Sequence, residues 1–216
     1  MGETLPFQRA RKPEEREIRR EAILAAAAGL FDAEGAQGTG LNAIAARAGF
    51  TKSNVYRYFE SREEVLLNLF LAELEQLCPD LERRFSGIAP GDLDAIAAAI
   101  ATAFIARPRL ASLSAIVSTT LEQNISEQAV ITLKRGMGTL LQRAATLLHA
   151  RLPGSTPEDC AWLVAMVGTI VAGMWPAANP SATARRVLAM PEFSHLKPSI
   201  ERDLERATRA LLAAIV

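Results

Sequence analysis

The chain has little with which to do covalent chemistry. Its 216 residues include only two cysteines and two histidines. Cys78 and Cys160 lie far apart without metal-ligand spacing, which argues against a disulfide framework and for a reducing compartment. His149 falls near a helix end and His195 in a loop beside Pro191 and Pro198. Neither belongs to a nucleophile or metal pattern. Gly136 and Gly138, like Gly168 and Gly173, lack the preceding strand that a phosphate-binding loop requires. No catalytic residue, no metal and no cofactor are therefore expected, and the chain does not read as an enzyme. A charge excess is also missing, with 24 basic and 24 acidic residues. The polar, charged start does not read as a signal peptide, and the expected location is cytoplasmic. The most apolar run, residues 160–178, is interrupted by Gly168, Gly173 and Pro176 and has no flanking cation clusters. It reads as a buried helix rather than a membrane span, so no membrane partner is expected.

Strand-like alternation is lacking as well, and helical periodicity is present almost throughout, so the fold class is all-α. Ile23, Ala26, Ala27, Leu30 and Phe31 have the spacing of a core-facing helix, which Gly35 ends. A long helix is expected over about 62–85, capped by Ser61 with Glu63 and Glu64 in its first turn. Further helices are expected over about 92–106, 108–123, 127–152 and from Thr156 to the prolines at 176 and 180. A short one after Ser181 and a final one over 198–215 close the chain. Pro157 suits the first position of its helix. In the helix after Ser126, Val130, Leu133, Met137, Leu140, Leu141, Ala144 and Leu148 form one apolar stripe. Gly136 and Gly138 flank Met137 there at about 1 kcal/mol each relative to Ala. Close backbone packing is the first explanation for them, with a bend or room for a ligand as the others.

The most informative stretch is residues 41–60. Leu41, Ile44, Ala45 and Ala48 make a short apolar stripe, and Gly49 supplies a residue that tolerates positive φ at a tight corner. Thr51 is placed to cap a second short helix. Val55 and Phe59, four apart, face back onto the first helix. Lys52, Ser53, Asn54 and Arg57 are left pointing outward. This is the pattern of a helix-turn-helix, whose second helix presents its N-terminal residues to base edges in the major groove. A plain helical hairpin with a glycine corner also fits the spacing of Ala45, Gly49 and Val55. The region from Arg9 to Arg62 carries ten basic against seven acidic residues, a modest surplus suited to phosphate attraction.

Taken together, Ile23, Ala26-Ala27, Phe31, Gly35, Ile44-Ala45, Ala48-Gly49, Tyr56, Tyr58-Phe59 and Ser61-Arg62-Glu63 resemble the TetR family of bacterial transcriptional regulators. The resemblance is strong over about residues 16–69 and one of architecture beyond. Residues 1–13 read as a flexible arm, with Arg9, Arg11 and Lys12 placed to reach a minor groove, or equally as a solvated tail. The resemblance implies that a three-helix helix-turn-helix domain follows over 14–60, then a larger helical effector-binding and dimerisation domain over 61–216. It implies double-stranded operator DNA as the partner, contacted by Thr39, Thr51, Lys52, Ser53, Asn54, Tyr56, Arg57, Tyr58 and Arg62. Lys52 and Asn54 have the chemistry to read guanine and adenine edges. Tyr56, Tyr58, Arg62 and Thr39 stand where phosphate contacts are made. Tyr58 fits a half-buried core aromatic equally well, Arg57 a solvated charge, and Ser53 a small residue allowing close approach. The family commonly has Ser or Thr where Gly40 begins the second helix, and Gly offers no hydroxyl there.

The same resemblance implies a homodimer and a small hydrophobic or aromatic effector. Phe104, Leu113, Val117, Leu121, Met137, Trp162 and Met166 are the candidate pocket lining, with Thr120, Glu122 and Asn124 to orient a ligand. Ordinary core packing is the competing role for each. Ala161, Ala165, Gly168 and Ala172 form a small-residue stripe on the helix after Thr156. With Leu204, Ala207, Leu211 and Ala214 of the last helix they are the candidate dimer interface. The expected function is a repressor released by ligand. An activator or a ligand-independent regulator on the same fold, and a helical ligand-binding protein without DNA, remain as alternatives.

Overall fold

The computed structural model describes residues 13–216. The expected arm contacts Arg9, Arg11 and Lys12 lie outside the described residues. Among the described residues there are ten α-helices and no strand. The chain divides into two compact units, with the boundary between Val65 and Leu66.

The first unit is built on α1 (Pro13–Gly38), α2 (Leu41–Arg47), α3 (Lys52–Val55) and the first turn of α4 (Arg62–Phe85). Gly35 interrupts α1 at φ 69°. That left-handed conformation is favourable only without a Cβ, so the helix proper ends there and a single turn follows. Ile23, Ala26, Ala27 and Leu30 of α1 share one buried cluster with Ile44 and Ala45 of α2, Val55 of α3, Phe59 and Val65. At α4 the Ser61 hydroxyl accepts from the Glu64 N–H at 3.1 Å. Glu63 and Glu64 sit in that first turn, where carboxylates favour the helix dipole.

The second unit contains the rest of α4, then α5 (Leu93–Ile105), α6 (Pro108–Ile116), α7 (Glu127–His149), α8 (Pro157–Ala178), α9 (Ala182–Leu188) and α10 (Ile200–Ala213). Asp92, Ser126, Thr156 and Ser181 each accept a backbone N–H with the side chain and so start α5, α7, α8 and α9. Two expected boundaries move. The helix from Pro108 was expected to run to about 123; after Ile116 it widens into a π-helical turn over Val117–Leu121 and then tightens over Glu122–Asn124. α7 stops at His149, and Ser155 locks the turn that follows. The Ser155 hydroxyl donates to Leu152 O at 2.9 Å, beside His149 Nδ1 and Cys160 Sγ. α8 ends between the two prolines, as expected, running through Pro176 to Ala178 two residues later. So near the terminus little of the hydrogen-bond ladder is left for the missing N–H to break.

Asp80 ties α4 to the α5–α6 corner. Its carboxylate is 2% exposed and pairs with Arg83, with Arg84 at 3.1 Å and with Arg107 at 2.5 Å. Arg107 also donates to Ala103 O and Gln76 O. Burial pushes the Asp80 carboxyl upward, but hydrogen bonds and charge from Arg107 and Arg84 outweigh it and hold the group below the usual aspartate range.

α8 departs most from its expected burial. Cys160, Leu163, Val167 and Val171 are covered, but only 22% of its most apolar window is buried within the chain, and Trp162 is 45% exposed. By length and hydropathy this helix could cross a membrane. In the fold its buried side packs on α6, α7 and α10. α10 is sharply two-sided. Ile200, Leu204, Thr208 and Leu212 are buried, while Glu201, Arg202, Glu205 and Arg206 face out.

Candidate functional site

The corner between α2 and α3 is held by local bonds. Gly49 lies at φ 72°. Its N–H donates to Ala46 O at 3.2 Å, and the Phe50 N–H donates to Ala45 O at 2.9 Å. Thr51 then adopts an extended conformation, and its hydroxyl accepts from the Asn54 N–H at 3.3 Å. One turn of helix follows, and the chain keeps turning to Phe59, whose N–H donates to Val55 O at 3.1 Å. Val55 and Phe59 are almost fully buried, which fixes how the turn rotates. Lys52, Ser53, Tyr56 and Arg57 are thereby exposed, and Asn54 is half-buried.

The outward groups form one connected polar surface. Lys52 Nζ lies 5.9 Å from the centre of the Tyr56 ring, within cation–π range. The Ser53 and Thr51 hydroxyl oxygens are 3.0 Å apart. Tyr56 is half exposed. Tyr58 is half-buried against the core cluster, so its ring packs inward. The surface therefore combines an ammonium, an amide, hydroxyls and an exposed guanidinium, the groups that contact bases and phosphates in a groove.

Two expected phosphate contacts receive structural roles instead. Thr39 is wholly buried, and its hydroxyl donates to Gly35 O at 2.8 Å. Arg62 turns away from solvent. Its Nε donates to Thr39 O at 2.8 Å, a terminal nitrogen donates to Ala36 O, and the other pairs with Glu63 at 3.0 Å. Arg62 is thus a clamp on the α1–α2 connection, joining the Thr39 and Ala36 carbonyls to the start of α4. Gly40 begins α2 with no side-chain cap, as its residue type requires.

A second feature lies within the second unit. A cavity of about 370 Å³ is walled by α4, α5, α6, α7 and α8. Of the expected lining, Phe104 and Met137 reach it. Leu113, Val117 and Leu121 are buried in the core and do not line it, which is the packing role that competed from the start. Trp162 and Met166 are displaced from it by the rotation of α8, whose Val164, Ala165, Gly168, Thr169 and Ala172 face it instead. So three residues of the stripe expected at a dimer interface (Ala165, Gly168 and Ala172) make space inside the chain. A Cβ on Gly168 would meet nothing within 4 Å. Leu204, also expected at the interface, is fully buried within the chain, where α10 packs on α5. Ala161, Ala207 and Leu211 remain half-buried. Thr120 and Asn124 are exposed, and Glu122 pairs with Lys134 at 2.7 Å, so none of the three lines this cavity.

The paired glycines of α7 separate. A Cβ on Gly136 would come within 3.1 Å of the Leu71 side chain, which is close packing, whereas Gly138 lines the cavity with nothing in its way. The lining that sequence periodicity missed includes a row from α4: Phe70, Leu74, Leu77 and Cys78. Burial pushes the Cys78 thiol up, against a smaller downward pull from Arg143. Among the described residues no group of three or more His, Cys, Asp or Glu is placed to hold a metal ion.

Comparison with known proteins bears on both features. The family model described as "Bacterial regulatory proteins, tetR family" matches residues 23–69, and that described as "Tetracyclin repressor-like, C-terminal domain" matches residues 71–215. A TetR-family transcriptional regulator from Streptomyces coelicolor superposes with a TM-score of 0.58 at 18% identity, covering 92% of this chain and 99% of that one. The fatty acid degradation regulator FadR from Bacillus halodurans gives 0.56 at 14% identity, with 91% and 99% covered. A TetR variant from Acinetobacter baumannii in complex with minocycline gives 0.54 at 16% identity, with 95% and 96% covered. No curated protein matches the sequence. These solved structures share the fold, and the two family models together span the chain from the helix-turn-helix to the last helix: the protein belongs to the TetR family of bacterial transcriptional regulators.

Proposed function

We propose that the protein is a repressor that binds a palindromic operator as a homodimer and is released from it by a small hydrophobic molecule. The observation that carries the DNA-reading part is the turn geometry of residues 49–59. It buries Val55 and Phe59 and leaves Lys52, Ser53, Tyr56 and Arg57 together on the outside. Lys52 and Asn54 read bases, and Tyr56 and Arg57 hold phosphates. A cytoplasmic location follows from access to the operator.

The open apolar side of α8 supports the homodimer. Trp162 is 45% exposed there, and Met166 and Ile170 are half-buried. Covering that side with a second copy gives the two reading helices that a two-fold operator needs. The minocycline complex of the Acinetobacter relative supports a ligand-responsive reading, and the cavity supplies the space. Phe70, Leu74, Leu77 and Cys78 place α4 along the cavity, and the same helix begins in the reading unit. Ligand occupancy shifts α4, and with it the spacing of the two reading heads, away from the operator.

The test is a mobility shift on DNA from the protein's own upstream region, across a salt series and against scrambled competitor. Specific, salt-sensitive binding of two chains per site is the expected result. Equal binding to scrambled DNA, or one chain per site, refutes the reading.

A further inference from the structure

The cavity of the second unit has an unusual chemical inventory. None of the side chains lining it carries a charge. Its polar atoms come from Ser114, Ser118, Thr169 and the Cys78 thiol. Two of those hydroxyls have their protons committed: Ser114 donates to Leu110 O at 2.8 Å, and Thr169 donates to Ala165 O at 3.0 Å. Each then offers a ligand lone pairs only. A carboxylate or phosphate needs donors or a cation, and the walls supply almost none. An ammonium would find acceptors but no counter-charge.

We propose, on the reading that this cavity is the effector site, that it selects an uncharged molecule with an apolar body and at most a hydroxyl or N–H donor. An ion entering it loses water without gaining a partner. The Cys78 thiol reports the same environment. Burial, helped by the nearby Glu75 charge, raises its pKa although the Arg143 charge acts to lower it, so a thiolate is disfavoured at this wall. Across the shared walls Leu77 and Phe104 lies a separate void of about 30 Å³ lined by apolar residues alone, among them Leu81, Phe85 and Leu163, and a shift of those two side chains would join it to the cavity as an extension. That extension suits the end of an alkyl chain or the edge of a ring.

The experiment uses the full-length protein and three probes that share one chain: decan-1-ol, decanoate and decylammonium, titrated by calorimetry at pH 7.5. The alcohol should bind more tightly than either ion by about tenfold or more. In a second measurement that needs no variant, the apparent affinity for decanoic acid should rise about tenfold per pH unit as its carboxyl is protonated, while that for decanol stays flat. Decanoate or decylammonium binding as tightly as decanol overturns the proposal, as does a pH-independent affinity for decanoic acid. Gly168→Leu, with folding verified by circular dichroism, locates the site. Loss of probe binding in that variant keeps the cavity as the site whichever probe wins. Unchanged decanol binding there, or no probe binding to the parent protein, overturns the cavity reading itself and the proposal with it.

Discussion

The reading surface and the cavity are made by opposite means. The reading surface is an excess of side chains: a short turn rotates so that two apolar residues anchor it and several polar ones stand free. The cavity is a deficit of side chains: Gly138, Ala165, Gly168 and Ala172 decline to fill a space that large neighbours enclose. The first depends on bonds between residues a few positions apart, the second on five helices arriving together. Perturbations should separate them accordingly.

Removing the anchor of the reading surface should have the largest effect. Phe59→Ala empties a site that is 2% exposed in the core of the first unit, and is expected to cost about 3–5 kcal/mol of stability in chemical denaturation. Operator binding should fall with it. A loss under 1 kcal/mol would mean that the turn is not held by this core.

The second unit has a comparable weak point in charge rather than volume. Asp80→Ala leaves Arg107 and Arg84 without their carboxylate and should cost about 3 kcal/mol. The wild-type contribution has a defined pH window. The folded carboxyl titrates below its unfolded value, so its stabilisation is complete above about pH 4 and is lost as pH falls through the lowered folded value. Acid titration of stability should be steeper in the wild type than in Asp80→Asn. Equal slopes would show that the ion cluster does not stabilise the fold.

Next comes a pair of cations that a charge count treats alike. Lys52→Ala should weaken operator binding by about 1–3 kcal/mol and relax base preference at one position. Arg62→Lys keeps the charge but loses the planar fork that reaches Thr39 O and Ala36 O. It should lower the melting temperature and operator affinity while leaving the salt dependence of binding unchanged. If Arg62→Ala instead reduces the salt slope by about one unit, Arg62 contacts phosphate and the clamp is released on DNA. The smallest effect is the cap: Thr51→Ala should cost about 1 kcal/mol, and Thr51→Ser almost nothing.

This division also explains what the residues reveal before folding is considered. Gly35, Gly49, Thr51, Ser61, Asp92 and Thr156 act on neighbours within four positions, so the elements they start or end follow from the chain alone. The outward set of α3 follows from Val55 and Phe59 for the same reason. Thr39 and Arg62 did not yield their roles, because a threonine before a helix and an arginine at a helix start suit a phosphate and a carbonyl equally. Burial of Thr39 and the 23-residue bond between them show what the two hold within the fold. The cavity was legible at Phe104 and Met137 and, as one of three explanations, at Gly138. Which face of α8 turns inward depends on α6, α7 and α10 together, and a helix apolar on all sides carries no periodic mark of its orientation. Hence Trp162 and Met166 were expected where Ala165 and Gly168 stand. Leu204 likewise could serve an inner or an outer contact until α5 was in place.

The open space at Gly138 and Gly168 has a consequence for how such a protein changes over generations. In a helix interior an alanine is more stable than a glycine by about 1 kcal/mol, and nothing stands within 4 Å to resist one at either position. Each step toward a sturdier helix therefore narrows the chamber. A laboratory selection for heat resistance alone would accept alanine at these two positions as readily as at Gly173, which lies outside the chamber, and would return regulators that outlast the parent while responding to fewer molecules.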